Sequence, residues 1–250
     1  MTVRTQGQFY ARTMTSRVPS KVLRKVPRDS RRQQYSASTK RALIDVAGEL
    51  FTERGYARTS LDEIVAGARV TKGALYHHFT GKQALFEAVF VKVEEDSTKT
   101  IRKAVRNSKD PWEKALSGLR SFLAIVQEPG YRRIVIQEGP AILGHERFRD
   151  QEERSTFGIV QEIVSSVLSS YDVEPSMVET FSRIFFGAMS AAGAAVSSAE
   201  DTERASAEVE AAIGFILAGI QQQAESGGKL PGPDDLVSHE GPGPADVETG

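Results

Sequence analysis

Thr71, Lys72, Gly73, Tyr76 and His77 fall in one short run that offers a hydroxyl, an ammonium, a phenol and an imidazole around a glycine. Hydrogen-bond donors and cations without a neighbouring acid or thiol suit a polyanion or the edge of a base better than they suit bond making. Four histidines occur, His77, His78, His145 and His239. His145 has Glu146 beside it, but there is no His-x-x-x-His zinc spacing, no glycine-rich phosphate loop and no nucleophile elbow around any serine. The sequence therefore predicts no catalytic residue, no metal site, no cofactor and no enzyme.

The elements that must position the run can be read on either side of it. Apolar positions Leu43, Ala47, Leu50 and Phe51 recur at helical spacing and end at Arg54-Gly55, a natural C-terminal cap. Tyr56 follows and can fold back on the helix end. Ser60 with Glu63 three residues on is a capping box for a short second helix whose inner face is Leu61, Ile64, Val65 and Ala68. Val70 fills the turn and Thr71 caps a third helix. Within that helix Leu75 and Phe79 are one turn apart and face inward, so Gly73 and His77 face outward with Tyr76 on the flank. Lys72 sits at the helix start, where a side chain reaches furthest into a groove. A helix-turn-helix whose second helix enters a DNA groove needs this pattern; a short surface helix in an all-α domain has it too, and spacing alone does not separate the two.

Charge is distributed unevenly. Residues 1–81 hold 15 Lys/Arg against 6 Asp/Glu, residues 82–224 hold 16 against 21, and residues 225–250 hold 1 against 6, within a net charge of −1. A basic front and an acidic rear fit a polyanionic partner for the front. The chain has no cysteine, no apolar signal core and no stretch long enough to span a bilayer, which predicts a cytoplasmic protein without a membrane partner. Residues 1–35 and the Gly/Pro-rich acidic residues 225–250 read as disordered. Between them the period is helical throughout, with about nine helices expected at 38–54, 61–68, 72–79, 82–106, 111–127, 131–143, 146–170, 175–199 and 202–224.

From Leu43-Ile44-Asp45-Val46-Ala47 through Gly55-Tyr56, Thr59-Ser60-Leu61 and Val70-Thr71-Lys72-Gly73-Ala74-Leu75-Tyr76-His77-His78-Phe79 to Lys82 and Leu85, the sequence resembles the N-terminal domain of the TetR family. The resemblance implies an all-α protein: a three-helix DNA-binding head at 36–96, with its helix-turn-helix at 60–79, and a helical-bundle ligand-binding and dimerisation domain at 97–224. It implies phosphate contacts from Thr59 or Ser60, from Tyr76 and His77, and from Lys82. Thr71, Lys72 and Gly73 would sit at base edges or the adjoining backbone. It further implies a homodimer on a palindromic operator in double-stranded DNA, and a small-molecule effector, repression being the commoner outcome; an activator or an adaptor that has lost DNA are the alternatives. One position departs from the family pattern: Arg69 stands where the turn usually has glycine, and a left-handed arginine there costs roughly 1 kcal/mol.

The remaining sequence is less specific. Pro140 lacks an amide and should kink or end its helix. Phe181, Ile184, Phe185, Ala188, Ala192 and Ala195 form one stripe, and Val209, Ile213, Ile216, Leu217 and Ile220 another; these fit either a dimer interface or a monomer core. Phe122, Ile125, Ile136, Phe148, Phe157, Phe186 and Met189 are candidate linings of a pocket for an apolar or amphipathic effector, although plain core is the commoner role for each.

Overall fold

A computed structural model of the chain describes residues 28–169, 171 and 173–227. The chain divides into two units at residues 37 and 38, and of the first only the start of one helix is described. Of the disorder expected at 1–35 and 225–250, residues 1–27 and 228–250 lie outside the described residues, while 28–35 belong to α1 and Glu225 ends α11. The elements are α1 (Arg28–Arg54), α2 (Leu61–Gly67), α3 (Lys72–His78), α4 (Lys82–Arg106), α5 (Pro111–Gln127), α6 (Pro129–Tyr131), the π-helical stretch π1 (Arg132–Glu138), α7 (Gly139–Leu143), α8 (His145–Glu152), a second stretch π2 (Glu153–Phe157), α9 (Gly158–Leu168), α10 (Pro175–Ser198) and α11 (Thr202–Glu225). No strand occurs among the described residues. The protein is all-α, with an N-terminal helix-turn-helix and a C-terminal helical domain.

Two differences from the expected spans have local causes. Helix α1 starts at Arg28, earlier than the apolar period, because residues 28–38 contain no Gly or Pro to stop a helix although they lack an inner face. The helices expected at 131–143 and 146–170 are composites, each interrupted by a π-helical stretch. Pro140 lies in the first turn of α7, where its missing amide removes no intrahelical bond.

The head is built on the anticipated anchors. Leu43, Ala47, Phe51 and Ile64 are fully buried, and Leu75 and Phe79 are nearly so. Gly55 has φ 82° and its amide donates to the Phe51 carbonyl at 2.9 Å, which closes α1. Tyr56 folds back against Phe51 and, edge-on, against Phe86, with ring centroids 5.7 and 5.4 Å away. Phe86 and Phe90 make the first half of α4 part of the head core, while Ile101 and Val105 further along are buried too. Helix α4 packs most extensively on α5. One continuous helix thus enters both the head and the bundle behind it.

The turn between α2 and α3 is a Schellman motif. The Arg69 amide donates to Ala66 O and the Val70 amide to Val65 O, both at 3.1 Å. Arg69 occupies its left-handed position with φ 56°, so the turn keeps its usual path and the arginine carries the strain. Exchange for glycine relieves roughly 1–2 kcal/mol of that strain against about 0.5–1 kcal/mol of extra unfolded-state entropy. Arg69→Gly is expected to raise the unfolding free energy by about 0.5–1 kcal/mol in urea titration. A loss of stability would show that the arginine side chain repays its backbone.

Candidate nucleic-acid interface and the cavity behind it

Helix α3 is held from beneath and open above. Thr71 caps it by accepting from the Ala74 amide at 3.2 Å. Leu75 and Phe79 fix its inner side, and Thr71, Lys72, Gly73, Tyr76 and His77 are all exposed. Tyr76 is 59% exposed. A Cβ added at Gly73 would meet only Thr71 Oγ1, at 3.9 Å, so the space over that glycine is open. Lys72 Nζ lies 2.7 Å from Asp62 Oδ1, with both side chains mostly solvated. Such a solvated pair contributes little, so the ammonium can leave Asp62 for another anion at little cost. Burial, His77 and Lys40 all hold the His78 imidazole below its usual range.

The capping box at α2 is present. The Glu63 amide donates to Ser60 Oγ at 3.2 Å, and the Ser60 amide donates to Glu63 Oε2 at 2.9 Å. Those bonds, with Arg54 beside it, hold the Glu63 carboxyl below its usual range. Thr59 is a correction. It is 2% exposed, and its hydroxyl donates to Gly55 O at 2.9 Å and Leu50 O at 3.2 Å. It ties down the α1–α2 turn and has no path to a phosphate, which leaves Ser60 as the surface residue of the pair. Lys82, in the first turn of α4, stands over the Tyr56 ring at 4.3 Å and within 3.5 Å of Ala57 O. The ring and the carbonyl aim its ammonium.

Behind the head, the helical domain grips the end of α1 through side chains that the sequence did not single out. Arg133 Nη1 donates to Thr52 O and Glu53 O at 2.9 and 3.0 Å, capping the α1 carbonyls. The Tyr56 amide donates to Glu138 Oε2 at 2.9 Å. A Cβ on Gly55 would come within 2.6 Å of Glu138 Oε1 and push that carboxylate aside, while the positive φ of 82° is what requires glycine. Gln83 Nε2 adds a bond to Ile142 O at 2.7 Å. Arg133 and Glu138 both belong to π1. These residues are eighty or more positions from their partners, and no local pattern in the sequence marks them.

A cavity of about 100 Å³ lies among α4, α5, α9, α10 and α11, bordered by π1 and π2 residues. Of the seven candidate pocket residues, Phe122, Ile136, Phe186 and Met189 line it. Ile125, Phe148 and Phe157 do not. Ile125 is buried core, Phe148 packs edge-on against Phe90 at 5.8 Å, and Phe157 stands behind Phe186 at 5.6 Å. Sequence reasoning missed Tyr131, Glu152, Thr156 and Ser190, which also line it. Glu94, nearby in the core, is 3% exposed and accepts bonds from Ser155 and Thr156. Burial pushes its carboxyl up, against the hydroxyls of Ser155, Tyr131 and Thr156. Burial and then Glu94 push the Glu152 carboxyl up to about 7, opposed by Arg149 and the Ser190 hydroxyl.

Comparison with known proteins decides the family. The model described as "Bacterial regulatory proteins, tetR family" matches residues 43–89, and that for "Tetracyclin repressor-like, C-terminal domain" matches 112–220. The TetC protein of transposon Tn10 from Escherichia coli is 32% identical over 138 residues, which span 54% of this chain and 68% of TetC. The chain belongs to the TetR family.

This TetR-family chain is thus a DNA-binding transcriptional regulator and not an enzyme. Among curated relatives, the transcriptional activator FasR of Mycolicibacterium smegmatis is 32% identical over 112 residues, covering 44% of this chain and 48% of FasR. A TetR-family regulator from Pectobacterium atrosepticum superposes with a TM-score of 0.66 at 27% identity, over 75% of this chain and 96% of that one. RolR, solved in complex with resorcinol, shares the fold with a TM-score of 0.57 at 22% identity, over 80% of this chain and 98% of RolR. Among the described residues no helix of this TetR-type regulator is long and apolar enough to cross a membrane.

Proposed function

We propose that this protein is a cytoplasmic homodimeric repressor that holds a palindromic operator with two copies of α3 and releases it when a small apolar or amphipathic effector fills the cavity. We assign residues 36–96 to the head and 97–224 to ligand binding and dimerisation. One observation carries the reading: the polar, glycine-bearing side of α3 stands free while two buried anchors fix its back. In this reading Thr71, Lys72 and Gly73 meet base edges, and Ser60, Tyr76, His77 and Lys82 meet phosphates. A groove-bound helix needs such donors outward, and helix N-termini favour phosphate through free amides.

The effector acts through π1. Tyr131 just before π1, and Ile136 within it, touch the cavity, while Arg133 and Glu138 hold the end of α1 and the Tyr56 amide. A ligand that displaces π1 loosens or re-aims the head, and operator binding disfavours the ligand by the same factor. FasR, a relative named as an activator, makes activation the second reading, and a reporter separates them. A reporter behind an operator selected from random duplex is expected to rise when the gene is deleted and when an effector from a metabolite panel is added. Glu138→Ala should still bind operator, yet lose most of the effector response, about 1–3 kcal/mol of coupling. A reporter that falls on deletion makes the protein an activator. A Glu138→Ala response equal to the parent's removes π1 from the route.

A further inference from the structure

We propose that the effector is an amphipathic cation, a small apolar or aromatic body bearing one protonated amine, and that Glu152 holds the amine. This rests on reading the cavity as the effector site, and it adds the charge of the ligand. The cavity wall is apolar but for a few groups, and the charged one among them is Glu152, with the hydroxyls of Thr156 and Ser190 beside it. No Lys or Arg lines the cavity. Glu94 lies behind, wrapped by Ser155, Thr156 and Tyr131. Among the described ion pairs none includes Glu94 or Glu152. Arg149, on the same helix as Glu152, is exposed and is the one base acting on it.

Glu152 is half-buried, and a carboxylate there, with a second carboxyl behind it and no paired base, is disfavoured against an apolar wall unless a cation arrives with the ligand. Burial and then Glu94 raise the Glu152 carboxyl to about 7, and a bound cation would hold it ionised. Aromatic rings do the rest. Phe122, Phe186 and Tyr131 line the same space, and aromatic rings there suit an ammonium or its alkyl body. An anionic ligand meets repulsion, and a neutral one leaves the charge unanswered. The cavity holds about 100 Å³, against roughly 150 Å³ for an engineered cavity that takes benzene, so the body is small.

The test uses the full chain without DNA, by calorimetry at about pH 8, where a carboxyl with a midpoint of about 7 is ionised. The probes are primary ammonium ions from propylammonium to phenethylammonium, each paired with its isosteric alcohol, and benzoate. At least one amine should bind about tenfold or more tightly than its alcohol, the range of a charge-assisted hydrogen bond. Benzoate should not bind. Glu152→Gln should bring the amine-to-alcohol ratio close to one. The ratio in the parent needs no variant, so poor folding of Glu152→Gln does not blunt the test. Alcohols binding as well as amines, or no amine binding, overturns the proposal. If the alcohols bind and release operator, the effector reading survives and only the charge is wrong. If amines bind but no duplex is ever released, the cation site stands and the effector reading falls.

Discussion

Exchange of Phe215 for glutamate is expected to leave a folded chain that sediments as a 27.3 kDa monomer and no longer retards operator DNA. Helix α11 has no buried residue, although it is long and carries Phe215, Ile216 and Leu217. Phe215 is 82% exposed and Ile216 51%, and Ile184 on α10 is 61% exposed. Nothing stands over Gly187, Gly214 or Gly219, so a second backbone has room to approach there. Burying a phenylalanine contributes about 1.5–3 kcal/mol, and a two-fold interface counts it twice. A glutamate in its place brings two carboxylates into an apolar contact. Loss of the second head then costs about a hundredfold or more in operator affinity, the range of avidity through linked sites. Sedimentation and a mobility shift check both parts. A variant that stays dimeric would move the interface elsewhere.

Loss of Tyr76 and loss of Lys82 should weaken operator binding in distinguishable ways. Tyr76 offers a neutral donor, worth about 1 kcal/mol per head. A dimer of Tyr76→Ala therefore binds about thirtyfold more weakly, with the salt dependence little changed. Lys82 offers a charge. Lys82→Ala releases fewer counterions, and the slope of log affinity against log salt becomes shallower by about two per dimer. The same change removes the ammonium from the Tyr56 ring, so thermal melting belongs beside the titration; an exposed cation–π contact is worth about 0.5–1 kcal/mol. Equal affinities for parent and variants at every salt concentration would remove both residues from the phosphate contacts.

The head was legible because its signals are local. A capping serine with Glu63 three residues on, a glycine after Arg54 and two anchors one turn apart each fix a backbone feature within a few residues. Thr59 was misplaced because a threonine before a cap reads the same whether it turns outward or, as here, closes the preceding turn with two carbonyl bonds. The cavity was half legible. Phe122, Ile136, Phe186 and Met189 lie on apolar faces, but an apolar stripe does not say which of its members border a void. Phe148 and Phe157 have aromatic partners instead. Glu152 and Ser190 were missed since polar residues in amphipathic helices read as surface. The Arg133 and Glu138 grip was invisible because it depends on a π-helical stretch and on partners far along the chain. By their spacing the stripes on α10 and α11 are single faces. In the fold Phe185, Ile213 and Leu217 turn to the cavity, while Ile184 and Ile216 remain exposed and Phe215, outside both stripes, is the most exposed of all.

The claim on which the rest depends is that α3 lies close against a duplex, and Gly73 tests it most directly. A side chain there meets open space within the protein, and removing a helical glycine gains up to about 1 kcal/mol of stability. Gly73→Leu is therefore expected to melt at or above the parent temperature. Its affinity for an operator selected by the parent should fall by about a hundredfold or more, at about 1–3 kcal/mol of overpacking per head. A stable Gly73→Leu dimer that holds the operator as tightly as the parent would contradict the account.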